Sequence, residues 1–394
     1  MATSAQHLEA DRPLCVDLDG TLIASDLLLE SLLLLLKHNP LCLFALPLWL
    51  LRGKAVLKAQ IAARVSLDPA ALPYNKPFIG WLQVQRDAGR RLWLCTAADR
   101  KLANAVASHL GLFDGVLASD GQVNLKEEAK AACLAQRFGE RGFDYCGNEH
   151  QDLAVWRRAR GAIVVRGGAG LERTVAREVP VLQSFPVAGR SWALLRALRP
   201  HQWAKNALVL IPLAAAHRLG DRNSVAAALI GLIGFSLCAS SVYVLNDLLD
   251  LQSDRVHPRK SRRPFASGDA SILAGLVMVP VLLAAAIGLC VLLPLKFSLV
   301  LLAYYLLTTA YSLRLKSFVI VDAMVLAGLY TLRVIGGAAA VSVPLSFWLL
   351  IFSVFLFLSL AFVKRFAELE SLRRQQRLKA AGRGYHIEDL ALLQ

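Results

Sequence analysis

Four polar side chains recur at helical spacing in the middle of the chain, at Asn246, Asp247, Asp250 and Asp254. On a helix, at roughly 100° per residue, they fall within about 100° of one another. They follow an uncharged stretch, 225–245, that is long enough to cross a bilayer. Carboxylates gathered at such a boundary repel one another unless a cation lies between them, and Mg²⁺ binds carboxylates together with substrate phosphates. The spacing predicts a metal-bound phosphate site, with a plain polar helix end as the alternative.

A basic loop follows these acids directly. Residues 255–263 contain five Lys or Arg side chains. Arginine and lysine are the usual protein partners of phosphate groups. We therefore expect this loop to contact phosphates of the same substrate.

Long apolar runs fill the second half of the chain, and they predict six spans, at 204–217, 225–245, 272–295, 297–313, 318–340 and 345–363. Lysine and arginine cluster in alternate loops between these runs, which is the pattern of cytoplasmic loops. We therefore expect a multi-pass protein of the inner or plasma membrane. Its soluble first half and its acidic motif would face the cytoplasm.

Two charged residues, Asp322 and Arg333, lie inside the fifth predicted span. Their spacing puts them about 20° apart on a helix, so they share a face. Charged groups at membrane depth normally face a protein interior or a wet cavity. Two interpretations stay open, an ion pair between helices and a contact of Arg333 with a substrate phosphate. Gly336 and Gly337 are expected to permit close helix packing.

Charge and cysteine content restrict the partners and the compartment. The 394 residues have a net charge of +15, with the cations at the ends of apolar runs and without interleaved aromatics. Anionic headgroups and phosphorylated substrates are therefore expected rather than nucleic acid. The seven cysteines form no CxxC pair and are expected to be reduced thiols. No secretory signal is predicted at the N-terminus.

Polar residues follow strand-like runs in the first half of the chain. They are Asp17 and Asp19 after 14–16, Thr96 after 92–95, and Asn148 and Asp152 after 144–146. Helical patterns separate these runs, and such alternation predicts an α/β domain with a doubly wound parallel sheet. Ligands of these sheets bind at the carboxyl ends of the strands, where all five residues would lie.

The membrane half resembles the UbiA superfamily of intramembrane prenyltransferases. The sequence Asn-Asp-x-x-Asp-x-x-x-Asp at 246–254 is similar to the first aspartate-rich motif of that family, and 199–206, 311–316 and 322–337 are similar to further motifs in the expected order. The resemblance covers about 196–390 and implies an all-α membrane domain. It also implies that Mg²⁺ held by Asn246, Asp247, Asp250 and Asp254 grips a diphosphate.

The most similar branch moves 5-phosphoribose from its activated diphosphate onto polyprenyl phosphate. Aromatic prenyltransferases have a second aspartate-rich motif where this chain has Lys364-Arg365-Phe-Ala-Glu368, and that difference favours the phosphoribosyl branch. The resemblance implies substrate contacts from Lys205, Asn206, Arg255, Lys260, Arg263, Tyr311, Lys316, Asp322, Arg333 and Lys364. The family has nine spans, so a chain with six, ending in what looks like the run-in to another helix, is expected to be truncated.

The soluble half resembles the haloacid dehalogenase (HAD) superfamily of phosphatases over about 12–180. The resemblance rests on Asp17-Leu-Asp19-Gly20-Thr21 directly after a strand. It implies that Asp17 attacks phosphorus and that Asp19 is the acid/base. It further implies that Thr96 holds phosphoryl oxygens, that Lys130, or less favourably Lys126, offsets charge, and that Mg²⁺ binds Asp17, Asn148 and Asp152.

These expectations combine into one domain plan. A HAD-like domain at 12–182, with an apolar cap at about 27–90, precedes a linker at 183–200 and a UbiA-like membrane domain at 201–394. The membrane half would make a phosphoribosyl lipid, and the soluble half would remove its phosphate. Two alternatives are an aromatic prenyltransferase that uses a polyprenyl diphosphate and a truncated, non-catalytic phosphate-binding protein. The apolar run 41–51 is either a buried helix or one that lies on the membrane surface.

Overall fold

A computed structural model of the chain describes residues 12–186, 192–374, 385–386 and 389–390. The chain divides into two compact units. The α/β unit comprises Met1–Leu194 and Asp247–Ala274, and the helical unit comprises Leu195–Asn246 and Gly275–Gln394. The loop after the acidic motif thus belongs to the α/β unit. The predicted domain boundaries stay predictions, and residues 187–191 of the predicted linker and most of the predicted run-in after 385 lie outside the described residues.

The α/β unit is built on a parallel sheet that has six strands within the described residues, in the order β3-β2-β1-β4-β5-β6. They are β1 Leu14–Val16, β2 Leu92–Asp99, β3 Gly115–Ser119, β4 Asp144–Gly147, β5 Gly161–Val165 and β6 Val181–Phe185. Strand β1 pairs with both β2 and β4, so Leu14 is opposite both Leu92 and Asp144. This is the doubly wound order, and it confirms the predicted fold class.

The strands are apolar on both faces because helices cover both sides of the sheet. Every residue of β1 and β5 is buried. Successive side chains of a strand point to opposite faces. Leu14 and Val16 accordingly contribute to one core, while Cys15 contributes to the other.

Helices connect the strands and cover the sheet. They are α1 Leu27–His38, α2 Leu46–Leu51, α3 Lys54–Arg64, α4 Lys76–Asp87, α5 Arg100–Leu110, α6 Glu128–Phe138, α7 Leu153–Trp156 and α8 Ala169–Glu178. The first four lie between β1 and β2, where the apolar cap is predicted. Asp26 begins α1 by accepting a hydrogen bond from the Leu29 amide at 2.9 Å, which satisfies an otherwise unpaired donor.

The remaining helices are α9 Ala193–Ala197, α10 Ile211–Ala215, α11 Arg222–Leu249, α12 Leu251–Val256, α13 Ile272–Cys290, α14 Leu295–Leu313, α15 Val321–Ala340 and α16 Phe347–Arg374. Of the helices in the described part of the chain, α11, α13, α14, α15 and α16 are long and apolar enough to cross a membrane. The first predicted span, 204–217, is instead a 3₁₀ helix, Pro200–Leu210, followed by α10. Pro212 lies at the start of α10, where a missing N–H is tolerated.

Close packing in the helical unit depends on two adjacent glycines of α15. A Cβ on Gly337 would lie 2.0 Å from the Val209 carbonyl oxygen, and one on Gly336 would lie 2.4 Å from the Phe235 ring. Neither neighbour leaves room for a methyl group. The prediction that these glycines permit helix packing is confirmed.

Candidate active sites

The carboxyl end of β1 carries a buried carboxylate held by a buried lysine. Asp17 follows β1 directly, and the Lys130 ammonium group on α6 donates to Asp17 Oδ1 at 2.7 Å. Lys130 also donates to the Tyr145 hydroxyl at 2.9 Å, and that hydroxyl donates to Asp152 Oδ1 at 2.9 Å. The sequence-predicted Asp17, Lys130 and Asp152 are therefore brought together. Tyr145, within β4, joins them although sequence reasoning missed it.

The loop after β4 is held against the loop after β1. Asp152 Oδ2 accepts hydrogen bonds from the backbone amides of Asn148 at 2.9 Å and Glu149 at 3.1 Å. The Thr21 hydroxyl donates to Asn148 Oδ1 at 3.1 Å. A Cβ on Gly20 would lie 2.2 Å from Asn148 Nδ2, and the φ of Gly20 is +74°. Glycine at position 20 therefore lets the Asn148 amide reach this site.

Burial and neighbouring charges shift the protonation of this site. Burial raises the pKa of Asp17 to about 6, with Asp152 adding to the rise and Lys130 opposing it. Burial also raises the pKa of Asp19 well above its usual range. The negative charges of Asp26 and Asp17 raise it further. Burial alone would lower the pKa of Lys130, but Asp17 and Asp152 outweigh it, so the net shift is upward. Asp17, beside the charged Lys130, suits the role of a nucleophile. Asp19, which keeps its proton to a higher pH, suits the role of an acid/base.

Two further residues contact the second half of β2 or lie in it. Thr96 is buried, and its hydroxyl accepts a hydrogen bond from the Ala98 amide at 3.0 Å. Lys58, on cap helix α3, donates to the Ala97 carbonyl at 2.6 Å and to Asn124 Oδ1 at 2.8 Å. Burial lowers the pKa of Lys58, while the charge of Asp19 acts in the opposite direction. Sequence reasoning missed Lys58 as a site residue, because spacing along the chain does not reveal which side of the cap faces the sheet.

The donor set at the ends of β1 and β4 suits a hard cation, because Asp17, Asn148 and Asp152 offer oxygen atoms. Within the described residues, no three His, Cys, Asp or Glu side chains are grouped as a metal site. A cation here would therefore depend on the Asn148 amide oxygen and on water as well as on the two carboxylates.

The acidic motif is not one continuous helix. Helix α11 ends at Leu249, and Asp250 precedes the short helix α12. Asp247 and Asp254 are nevertheless both buried, and Arg263 Nη1 lies between them, 3.0 Å from Asp247 Oδ1 and 2.5 Å from Asp254 Oδ2. Lys260 Nζ is 3.7 Å from Asp254 Oδ1. Two of the predicted acids and two predicted cations thus converge.

The paired carboxylates of Asp247 and Asp254 favour a bound cation. Burial raises the pKa of Asp254, although Arg263 acts against that rise. Asp254 Oδ1 is buried and accepts no hydrogen bond from any described residue. A divalent cation that met these carboxylates would use that oxygen, so the residues present fit Mg²⁺.

The other two members of the motif have different partners. Asp250 forms an ion pair with Lys37 of α1 at 2.7 Å. In the helical unit, the Asn246 amide donates to the Ser312 hydroxyl at 2.8 Å. Their metal-binding roles stay predictions.

Arg255 takes part in a buried ion pair within the α/β unit. Its Nη2 and Nη1 donate to the two Glu30 carboxylate oxygens at 2.6 Å and 2.8 Å. Its Nε donates to the Ala266 carbonyl at 3.0 Å. These contacts join the loop that follows the acidic motif to cap helix α1, and the predicted phosphate contact of Arg255 stays a prediction.

A cationic cluster lies in the helical unit. Arg333 is buried and donates to Asn206 Oδ1 at 2.8 Å and to the Tyr304 hydroxyl at 3.0 Å. Lys205 lies in the 3₁₀ helix Pro200–Leu210, outside the five candidate spans. Burial lowers the pKa of Lys205, and the positive charges of Lys364, Arg333 and Arg199 lower it further. A lysine whose nearest charges are all positive favours an anionic ligand beside it.

Asp322 does not pair with Arg333, with which it shares a helix. Arg365 of α16 contacts both oxygens of Asp322, and the Tyr311 hydroxyl donates to Asp322 Oδ1 at 2.8 Å. Asp322 therefore forms an interhelical ion pair with Arg365, and the contact of Arg333 with a substrate phosphate stays a prediction. The partner, Arg365, was missed, although its spacing of four from the buried Ala361 and Leu369 marks an inward-facing position.

Two of the remaining predicted substrate residues are less enclosed. Lys364, next to Arg365 on α16, is exposed, and Lys316 in the short 3₁₀ helix Leu315–Ser317 is half-buried. Their roles toward a substrate stay predictions.

Comparisons with known proteins identify the second half of the chain. Residues 207–380 match the model of the UbiA prenyltransferase family. The uncharacterized protein y4nM of Sinorhizobium fredii is 40% identical over 380 residues, which cover 95% of this chain and 72% of that protein. The chain belongs to the UbiA prenyltransferase family. The decaprenyl-phosphate phosphoribosyltransferase of Mycobacterium tuberculosis is 36% identical over 194 residues.

The chain spans only part of some of these UbiA relatives. The match to the mycobacterial enzyme covers 48% of this chain and 64% of that protein. Among solved structures, a UbiA homolog from Archaeoglobus fulgidus bound to DMAPP and Mg²⁺ is similar at a TM-score of 0.41 and 21% identity, covering 46% of this chain and 65% of that one. A HAD family hydrolase from Salmonella enterica is similar at a TM-score of 0.29 and 16% identity, covering 45% and 68%.

Proposed function

We propose that the helical half of this UbiA protein transfers 5-phosphoribose from phosphoribosyl diphosphate to polyprenyl phosphate. We further propose that the α/β unit removes the 5-phosphate from the resulting lipid. The first statement is supported by the identity to a decaprenyl-phosphate phosphoribosyltransferase. The second rests on the residues at the carboxyl ends of β1, β2 and β4.

The cations of the helical unit support a lipid phosphate over an aromatic acceptor. The positive charges of Lys364, Arg333 and Arg199 all act on Lys205. A lipid phosphate brings up to two negative charges to these cations, whereas 4-hydroxybenzoate brings a single carboxylate. Arg365, which lies where other members of the family have a further acidic motif, is neutralised by Asp322 and Glu368. This arrangement favours one diphosphate substrate and one phosphate acceptor over a prenyl diphosphate and an aromatic ring.

The acidic motif is suited to the diphosphate. When bound there, Mg²⁺ would stabilise the negative charge of the departing diphosphate. Asp247 and Asp254 would hold the cation, and Arg263 and Lys260, already within reach of Asp254, would contact the phosphate oxygens. In the helical unit, Arg333 and Lys205 would bind the lipid phosphate, one oxygen of which is the nucleophile toward the anomeric carbon of the sugar. The C–O bond to the diphosphate breaks as the new C–O bond to the lipid phosphate forms.

The α/β unit is suited to hydrolysis of a phosphate monoester. Asp17 would attack phosphorus, and Asp19, whose carboxyl group retains its proton more readily, would protonate the leaving sugar oxygen. Lys130, which donates to Asp17, would balance the charge that develops on the phosphoryl group. Water would then release inorganic phosphate from Asp17.

The two activities can be tested in one assay. Membranes that contain the chain are incubated with Mg²⁺, polyprenyl phosphate and phosphoribosyl diphosphate labelled in the ribose, and the lipid extract is analysed. We expect labelled lipid with the parent chain and with Asp17→Asn, and none with Asp247→Asn. The lipid from Asp17→Asn should keep its 5-phosphate, whereas the exposed control Asp87→Asn should behave like the parent.

The outcomes separate the two claims. A parent chain that forms no labelled lipid overturns the transferase assignment. If Asp17→Asn leaves the phosphate content of the product unchanged while labelled lipid still forms, the phosphatase assignment alone is wrong.

A further inference from the structure

A short segment of the cap exposes apolar side chains side by side. The 3₁₀ helix Pro40–Phe44 leads into α2, Leu46–Leu51, and six of their side chains are at least half exposed: Leu41, Leu43, Phe44, Leu48, Leu50 and Leu51. No residue of α2 is buried. Single exposed leucines are common, but a contiguous group of this kind marks an interaction surface. We call Pro40–Leu51 the apolar segment.

The apolar segment is held in place by its other side. Cys42 is buried in a small cluster with Leu35, Ile61 and Val65 of the flanking helices. The Arg64 guanidinium lies 4.8 Å from the centre of the Trp49 ring. These contacts anchor the segment on α1 and α3 while its leucines and Phe44 face outward. The exposure is therefore part of the fold of the cap.

The sequence that flanks the apolar segment contains cations and no acids. No Asp or Glu occurs in the sequence between Glu30 and Asp68, while five Lys or Arg residues do. Arg52 and Lys54, which follow the segment directly, are exposed. Apolar side chains bordered by cations and free of acids complement a bilayer surface with anionic headgroups. A protein partner would have to present acids and an apolar patch in a matching arrangement. An anionic bilayer presents negative headgroups and apolar chains at every point of its surface.

We propose that the apolar segment inserts into the headgroup region of an anionic bilayer. Helix α2 has six residues, so it is about 9 Å long and cannot cross a hydrocarbon core of about 30 Å. It lies along the interface, with Leu48 and Leu51 directed into the acyl chains and Arg52 and Lys54 at the phosphates. This assigns a lipid-binding role to the cap, and it holds whether or not the α/β unit is a phosphatase.

The test uses the full chain in vesicles made of equal parts of phosphatidylcholine and phosphatidylglycerol. A lipid-soluble carbene precursor is activated within the bilayer, and the modified peptides are identified by mass spectrometry. We expect the apolar segment to be modified to a level comparable with Ile272–Cys290, a candidate span whose side chains are largely exposed. Helix α4, Lys76–Asp87, with its exposed Val84, is the control outside the bilayer.

A matched pair of variants tests whether the leucines are responsible. Leu48→Glu combined with Leu51→Glu should reduce modification of the remaining apolar segment to the level of α4, while Val84→Glu should change nothing. Both sets change exposed side chains, and unreactive Cys15 and Cys95 in the core would show that the fold is kept. Modification of the segment no greater than that of α4 overturns the proposal.

Discussion

The ion pair between Glu30 and Arg255 should hold the loop after the acidic motif onto the cap. These residues are 225 positions apart in the sequence, and their side chains are 2% and 7% exposed. Glu30→Ala would leave the Arg255 guanidinium buried with only the carbonyl oxygens of Ala266 and Ala71 as partners. Breaking a buried pair by removing one partner typically costs about 3 to 5 kcal/mol. At about 1.4 kcal/mol per factor of ten, even the lower figure raises the open population of the loop about 100-fold.

A thiol placed in the loop measures that opening. Ala266 is 3% exposed, so Ala266→Cys gives a reporter that reacts with a water-soluble thiol reagent only when the loop opens. Cys15 and Cys146, in the core of the sheet, report on unfolding of the whole unit. Under conditions where closing is faster than labelling, Glu30→Ala should raise the reaction rate of the loop thiol about 100-fold or more. The reaction rates of Cys15 and Cys146 should rise by a smaller factor.

Two comparisons make the result specific to the buried pair. The ion pair of Arg157 with Glu178 is largely exposed, and Glu178→Ala should change the rate by less than about threefold. Glu30→Ala combined with Arg255→Ala removes both buried charges, so it should cost less than the sum of the single changes. Free-energy costs that add strictly for the Glu30→Ala and Arg255→Ala changes would refute the reasoning. A rise in the reaction rate of the loop thiol no larger for Glu30→Ala than for Glu178→Ala would refute it too.

Two further predictions concern the helical unit. Gly337→Ala should lower the free energy of unfolding by about 1 to 3 kcal/mol, because its Cβ would meet the Val209 carbonyl. Gly288→Ala, which has nothing within 4 Å, is the matched control, and thermal unfolding in detergent provides the comparison. Arg365→Leu should abolish lipid labelling and destabilise the unit by about 3 to 5 kcal/mol, because Asp322 is left as an unpaired buried charge. Arg365→Lys should restore part of the stability.

Specific outcomes would contradict these two predictions. Equal unfolding temperatures for the alanine variants at 337 and 288 would show that α15 can shift away from Val209 at little cost. A fully stable Arg365→Leu protein would show that Asp322 takes up a proton or finds another partner.

Much of the architecture could be predicted from local patterns. Apolar runs that end in acidic or hydroxyl residues predict strands with a site at their carboxyl ends, and the sheet order brings Asp17 and Asp152 together as expected. The long apolar runs likewise predict α11 and the later candidate spans. The prediction of one span at 204–217 is wrong, because hydropathy alone does not show that the chain changes there from a 3₁₀ helix to a short α-helix with Pro212 in its first turn.

Long-range pairing could not be predicted. Glu30 is the single acid of a leucine-rich helix, and nothing in its neighbourhood indicates a partner 225 residues away. Arg365 was overlooked in favour of Lys364 because both are cations in one motif, and only the burial of α16 distinguishes them. The break of the motif helix at Asp250 was missed for a similar reason, since no proline or glycine marks it.

The central claim is that the sugar diphosphate and the lipid phosphate are the two substrates of the helical half. The most direct measurement supplies membranes containing the chain with two pairs of substrates in parallel, with Mg²⁺ in both. One pair is labelled phosphoribosyl diphosphate with polyprenyl phosphate, and the other is labelled polyprenyl diphosphate with 4-hydroxybenzoate. We predict a new labelled lipid from the first pair that depends on Asp247 and Arg333, and no prenylated aromatic product from the second. A prenylated aromatic product from the second pair, with no phosphoribosyl lipid from the first, would contradict the account.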